Sequence, residues 1–286
     1  MTSLAVDPAA DTDEGGVRGW ALRVLDRIGH VWFENPMTLV TFVGRLFAAA
    51  PLGLAALGSS RAGSVAARLG QQFFRTLIRG VVLVAALGIA GGLVIGTLSR
   101  AGGSFLQPLI EEGVLTVVVR DLAPLGLAVA LAGRMGVSIT AKLAVLPARL
   151  KRETLVFGRR EINEFVVPQL VAGLTTAPLL FYLLAWFLLA GYESSGRLME
   201  LLYASPRRFF VPDLWPPLAA GAWRSAGFGW VVAFVASALG VRAAERFAST
   251  AGEEIELTNA VWESSVTAIL ICTAFTIIFL TRAGNG

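Results

Sequence analysis

The apolar residues of this chain fall in long runs of about helix-spanning length, with none of the short alternation that marks a half-buried strand. Crossing a bilayer core of about 30 Å takes about 20 mostly apolar residues in a helix. Five stretches meet that need. Gly80 to Ser99 is uncharged and glycine-rich, and Gly113 to Gly133 is apolar apart from the adjacent pair Arg120 and Asp121. Phe165 to Tyr192 is uncharged over 28 residues and can span with tilt. Ser225 to Val241 and Ser264 to Thr281 are shorter and borrow flanking residues to reach full length. The pattern predicts an all-α integral membrane protein with five transmembrane helices.

Ahead of these runs, Val31 to Ser60 is apolar but broken by Glu34, Pro36, Arg45 and Pro51. Trp32, Phe33, Phe42 and Phe47 beside Arg45 suit one or two amphipathic helices in the membrane interface. The first 30 residues carry Asp7, Asp11, Asp13 and Glu14 without an apolar core, which reads as a flexible cytoplasmic tail and not a signal peptide. The expected organisation is therefore a tail over 1–30, an interfacial or re-entrant segment over 31–76 and a transmembrane domain over 77–286. No internal repeat or low-complexity tract interrupts it.

Charge sets the orientation, because Arg and Lys collect on the cytoplasmic side. Residues 1–79 hold eight of them and the connection from Arg134 to Glu164 holds seven, so both belong inside. The N-terminus is then cytoplasmic and the C-terminus, after five spans, lies outside. The link from Glu193 to Arg224 holds four Arg together with Trp215, Pro216 and Pro217, and reads as a small folded cap outside the membrane.

Composition agrees with this picture and narrows the chemistry. Apolar residues make up 55% and charged residues 15%, against about 25% charged in soluble domains. The mean hydropathy of +0.69 excludes a mainly disordered chain. The pI of 9.8 would suggest nucleic acid in a soluble protein, but here it follows from Arg-rich loops, and no nucleic-acid partner is expected. A single Cys272 and a single His30 allow neither an internal disulfide nor a zinc site of Cys and His. Gly136-Val-Ser138 lacks the glycine that completes a nucleophile elbow, and no Walker A sequence is present, so ATP hydrolysis would need another chain. Glu253, Glu254 and Glu256 read as a solvated acidic cluster. No catalytic residue, metal or cofactor is expected, which leaves an intramembrane enzyme without acid, base or nucleophile.

Three features remain as candidates for function or packing. Charges within lipid are costly, so Arg120 and Asp121 either sit near the surface and orient their helix, or face a cavity. In a cavity Arg120 could hold a lipid phosphate, with Asp121 balancing it. Adjacent residues on a helix do not face each other, so partners on other helices are required. Arg224 is one such partner or an interfacial anchor. Gly88 and Gly92 form a GxxxG element for close helix packing, and Gly133 and Gly136 offer further small positions in the second span. Between spans two and three, Pro147 to Gly158 reads as a short basic helix. It is either a solvated loop or a coupling helix whose Leu150, Leu155 and Phe157 anchor it among Arg149, Lys151, Arg152 and Glu153 in the groove of a motor subunit.

The order of these motifs resembles the MlaE-type permease family, membrane subunits of ABC transporters that work with MCE-domain proteins on lipids. The resemblance runs from about Phe73 to Leu280. Arg120-Asp-Leu-Ala-Pro124 and Ala132-Gly-Arg-Met-Gly136 are similar to the family's Arg-Glu-Leu-Gly-Pro and Ala-Gly-Arg-x-Gly elements. Val166-Val-Pro-Gln169 with Ala172-Gly173, and Gly252 to Thr258 with Ser264-Ser265, match later elements. The resemblance implies an interfacial N-terminal helix, five spans, a cytoplasmic coupling helix after span two and a periplasmic cap between spans three and four. It also implies an ABC ATPase subunit, a periplasmic MCE-domain protein, membrane phospholipid and a second permease copy or paralogue as partners, in a bacterial inner membrane. Two departures stand out. Leu150-Lys-Arg-Glu-Thr-Leu155 replaces the family's Glu-Ile-Asp-Ala-Leu coupling motif, and a polar position of the last span falls at Cys272. The first departure motivates an alternative, a non-transporting scaffold that pairs with a more typical permease.

Overall fold

The computed structural model describes residues 36–46, 62–101, 115–149, 157–158, 161–194, 207–247 and 253–283. Among the described residues all regular structure is helical, and five helices are long and apolar enough to cross a membrane. The protein is an all-α integral membrane protein.

Helix α1 covers 36–46 and α2 covers Ala62–Ala101. Helix α3 covers Leu115–Ala144, α4 Ile162–Glu193, α5 Trp215–Phe247 and α6 Glu253–Ala283. The described residues of all five apolar runs fall within α2 to α6, while Gly113 and Val114 of the second run lie outside the described residues. The helices nonetheless extend well past the runs, because a helix continues beyond the lipid core once its backbone bonds are propagating. Two consequences alter the reading of the sequence. The boundary placed between residues 76 and 77 falls inside α2, and Arg134, taken as the start of a cytoplasmic connection, lies ten residues before the end of α3 at Ala144.

Helix α5 is the centre of the bundle. In its most apolar stretch 78% of residues are buried, against 22% for α2 and 28% for α6, which stand at the periphery. Helix α2 packs chiefly along α4, while α5 contacts α3, α4 and α6. With no water to expel inside lipid, such contacts depend on close packing and on side-chain hydrogen bonds. Both are present. A Cβ at Gly88 would stand 2.8 Å from Leu184 O, and one at Gly191 would stand 2.6 Å from Ile89 O, so α2 and α4 cross nearly backbone to backbone. Gly173 likewise brings α4 against α5, since a Cβ there would stand 2.5 Å from Gly229 O. Gly136 makes ordinary contact, 3.6 Å from Val232, and Gly133 has open space around it. Between α3, α5 and α6, Thr140 Oγ1 lies 3.1 Å from Ala236 O and 3.0 Å from Ser264 Oγ, all buried.

Helix α1 lies against α5. Phe42 is buried with its ring 5.3 Å from that of Phe234, and Arg45 pairs with Glu245 at 2.6 Å. At the start of α5, 3-10 turns at Arg207–Phe210 and Pro212–Leu214 carry Phe209, which packs 5.0 Å from Trp186 and 6.0 Å from Trp215. Phe209 and Trp215 belong to the link expected to form a cap, and Trp186 to the span before it.

Candidate functional site

Near the start of α3, the turn Val118–Leu122 is π-helical, and Pro124 follows two residues later. A second π turn, at Ala132–Gly136, has no proline after it, and a third, at Ile162–Val166, is followed by Pro168. Where a proline follows, the cause is the same. Proline has no N–H to give to the carbonyl four residues back, so the helical bonding slips by one residue ahead of it. At the first site the carbonyl that Pro124 cannot serve is that of Arg120, and Arg224 Nη1 of α5 donates to that oxygen at 3.3 Å.

The same turn carries the charged pair. Asp121 is 1% exposed, and both of its oxygens are engaged by cations. Arg120 Nε donates to Oδ2 at 2.9 Å, and the Arg224 guanidinium forms an ion pair with Oδ1. Arg120 therefore does reach its immediate neighbour, against the expectation from ordinary helical spacing, because the long side chain curls back along a widened turn. The required partner from another helix is Arg224. Its guanidinium also lies 4.6 Å from the centroid of the Phe279 ring on α6, a cation–π contact that fixes its plane. Two helices thus meet at the carboxylate, and a third holds the arginine that reaches it.

Two cations and one carboxylate leave a net charge of +1 in a site walled by apolar helices. The exposure is graded, with side chains of Asp121 at 0%, Arg224 at 18% and Arg120 at 30%. Asp121 is sealed, Arg224 is mostly held, and Arg120 keeps an open edge with guanidinium donors to spare. A planar guanidinium presented in this way suits bidentate contact with an oxyanion such as a phosphate.

Gly221 makes the geometry possible, and the sequence reading did not single it out. It stands one turn before Arg224, where an added Cβ would overlap the Phe181 ring and come within 2.9 Å of Val119 O in the π turn. The glycine lets α5 approach α3 closely enough for Arg224 to reach Asp121. A Gly221→Val substitution is expected to push the helices apart at a cost of about 1–3 kcal/mol. Thermal unfolding in detergent checks this, and an unchanged midpoint would mean that the approach is not tight.

The remaining candidates are spread over the molecule. Gly88 and Gly92 lie at the α2–α4 crossing, away from the charged cluster. Arg149 ends a helical turn at Leu146–Arg149, and Phe157 is buried at 3% exposure. Leu150, Lys151, Arg152, Glu153 and Leu155 lie outside the described residues, as do His30 and the tail over 1–30.

The family model described as Permease MlaE matches residues 69–278. No curated protein matches the chain. The family match takes in Arg120, Asp121 and Arg224, reaches into all five spans and covers more than half of the sequence. The protein therefore belongs to the MlaE permease family, multi-pass membrane subunits of ABC transporters.

Proposed function

We propose that this permease subunit moves phospholipid or a related lipid between the inner membrane and the periplasm. It would do so with a separate ABC ATPase on the cytoplasmic side and an MCE-domain protein outside. The observation that carries this reading is the charged cluster of α3 and α5, net positive, set within the spans, with Arg120 open and Asp121 sealed. A buried charge excess of this kind calls for an anionic ligand, and in a membrane permease a lipid headgroup supplies one. The lipid's headgroup would meet Arg120, while Asp121 and Arg224 position it.

Two copies of the chain would enclose the transport path, since α2 and α6 present apolar faces that this single chain leaves largely uncovered. The ATPase would dock near Arg149 to Phe157, and its closure would change the shape of the path. Closure does work only if the lipid binds the two shapes with different affinity.

The test is Arg120→Gln in the purified complex. Asp121 keeps Arg224, so the fold is expected to hold, while phospholipid transport falls about tenfold or more with the loss of a charge-assisted contact. Unchanged transport in a stable complex would remove Arg120 from the lipid path.

The divergent Leu150 to Leu155 segment favours a second reading, a scaffold paired with a typical permease. Stoichiometry separates the two. A complex isolated in mild detergent with two copies of this chain and two ATPases supports transport, and a second permease with fewer ATPases than permeases supports the scaffold.

A further inference from the structure

A cavity of about 140 Å³ opens between α2 and α3, with Leu180 of α4 at its back. Its walls are two helical faces at regular spacing. Helix α2 contributes Gln72, Arg75, Thr76 and Arg79, then Leu83 and Val84, while α3 contributes Leu127 and Leu131, then Arg134 and Ser138. The helices run in opposite directions, so the polar residues share one end of the cavity and the leucines the other. That polar end is where α2 begins and α3 finishes, the opposite end of the bundle from Arg120 and Asp121. Positive charge in the sequence assigns it to the cytoplasm.

Three arginines line the cavity, and none of its described lining residues is acidic. Lys142 adds a fourth cation nearby, donating to Gln72 Oε1 at 2.9 Å. Arg75, Arg79 and Arg134 make no hydrogen bond or ion pair with the described residues, in contrast to Arg45, Arg120 and Arg224. Their depth makes this unusual. Arg134 lies about 15 Å along the axis from the end of α3, and Arg79 about 15 Å from Leu69, where the apolar span of α2 begins. A spanning helix of 30 residues exceeds the hydrocarbon core by about 15 Å in all, so both arginines reach into the core when the helices are centred. Charges there need an opposite charge or a route to the surface.

We infer that this cavity is a second anion site, which holds the phosphate of an inner-leaflet phospholipid through Arg75, Arg79 and Arg134. Its volume suits a phosphate and adjoining glycerol and not acyl chains. Those would lie on the exposed apolar face of α2 beside it, where Phe74, Ile78 and Val82 are 61–73% exposed. The apolar inner end, at Leu83, Leu127 and Leu131, favours a lipid over a free hydrated anion, which gains nothing from leucines. The site goes beyond the transport reading, since it shares no residue with the Arg120 cluster.

Native mass spectrometry of the full chain, delipidated and titrated with dioleoylphosphatidylglycerol, counts the lipids bound. Two are expected on the wild type. The triple variant Arg75→Gln, Arg79→Gln, Arg134→Gln is expected to retain one and to weaken the other at least tenfold, while the corresponding triple Lys variant retains both. Arg120→Gln is expected to lose the other lipid and keep this one, so failure here leaves the transport reading standing. Dioleoylglycerol, which lacks the phosphate, should not compete. Full binding by the triple Gln variant would overturn the site, and inorganic phosphate that displaces the lipid at equal concentration would show a small-anion site and overturn the lipid assignment.

Discussion

Replacing Asp121 with alanine is expected to cost this protein about 3–5 kcal/mol, the range for breaking a buried ion pair from one side. The reason lies in what remains. Asp121 is the carboxylate between Arg120 and Arg224, and its loss leaves two guanidinium groups facing each other with no counter-charge between them. The midpoint of thermal unfolding in detergent should fall by about 10 °C, taking about 2–4 °C per kcal/mol. Asp121→Ala combined with Arg224→Met is expected to recover much of the loss, because the second change removes the charge that the first left unpaired. An additive double variant would show that Arg224 and Asp121 are not energetically coupled. Transport by Asp121→Ala should fall with its folded fraction, whereas Arg120→Gln should lose transport while remaining folded. That contrast separates the residue that positions from the residue that binds.

The spans were legible because lipid imposes a simple rule, and about 20 apolar residues in a row have few other uses. The ends were less so. Arg75, Arg79 and Arg134 follow the positive-inside pattern well enough to be read as interfacial or loop charges, yet α2 and α3 continue past them. Sequence spacing puts Arg75 and Arg79 on one helix and Arg134 on another, but their shared cavity exists only once α2 is laid against α3. Arg120 and Asp121 were visible as charges out of place, and the need for a partner followed from helix geometry. That the partner is Arg224 depends on Gly221, whose value comes from Phe181 and Val119 on two other helices. A glycine in a glycine-rich sequence carries no such mark. The same holds for Pro124, where the motif was seen and the freed Arg120 carbonyl was not.

The second large effect expected is at Gly92. A Cβ at this position would overlap Leu188 O and stand 2.7 Å from Tyr192 N, so it meets backbone on α4 with no flexible side chain to yield. Gly92→Val must therefore shift a whole helix, and α2 cannot shift alone, because Gly191 holds the other side of the same crossing against Ile89. The cost should reach or exceed the upper end of the about 1–3 kcal/mol typical of overpacking, seen as a sharp loss of monodisperse protein in detergent. The neighbouring residue provides the control. Gly91 has open space where a Cβ would stand, so Gly91→Val carries the same change of residue type, and the same or better suitability for a helix, without the clash. It should leave the unfolding midpoint within a few degrees of the wild type. Equal loss in both variants would mean that helix propensity or expression decides the outcome and not the α2–α4 contact. If Gly92→Val alone fails, the crossing is what fixes α2 on the bundle. The cavity wall bearing Arg75 and Arg79 then takes part of its position from Gly88 and Gly92, further along the same helix.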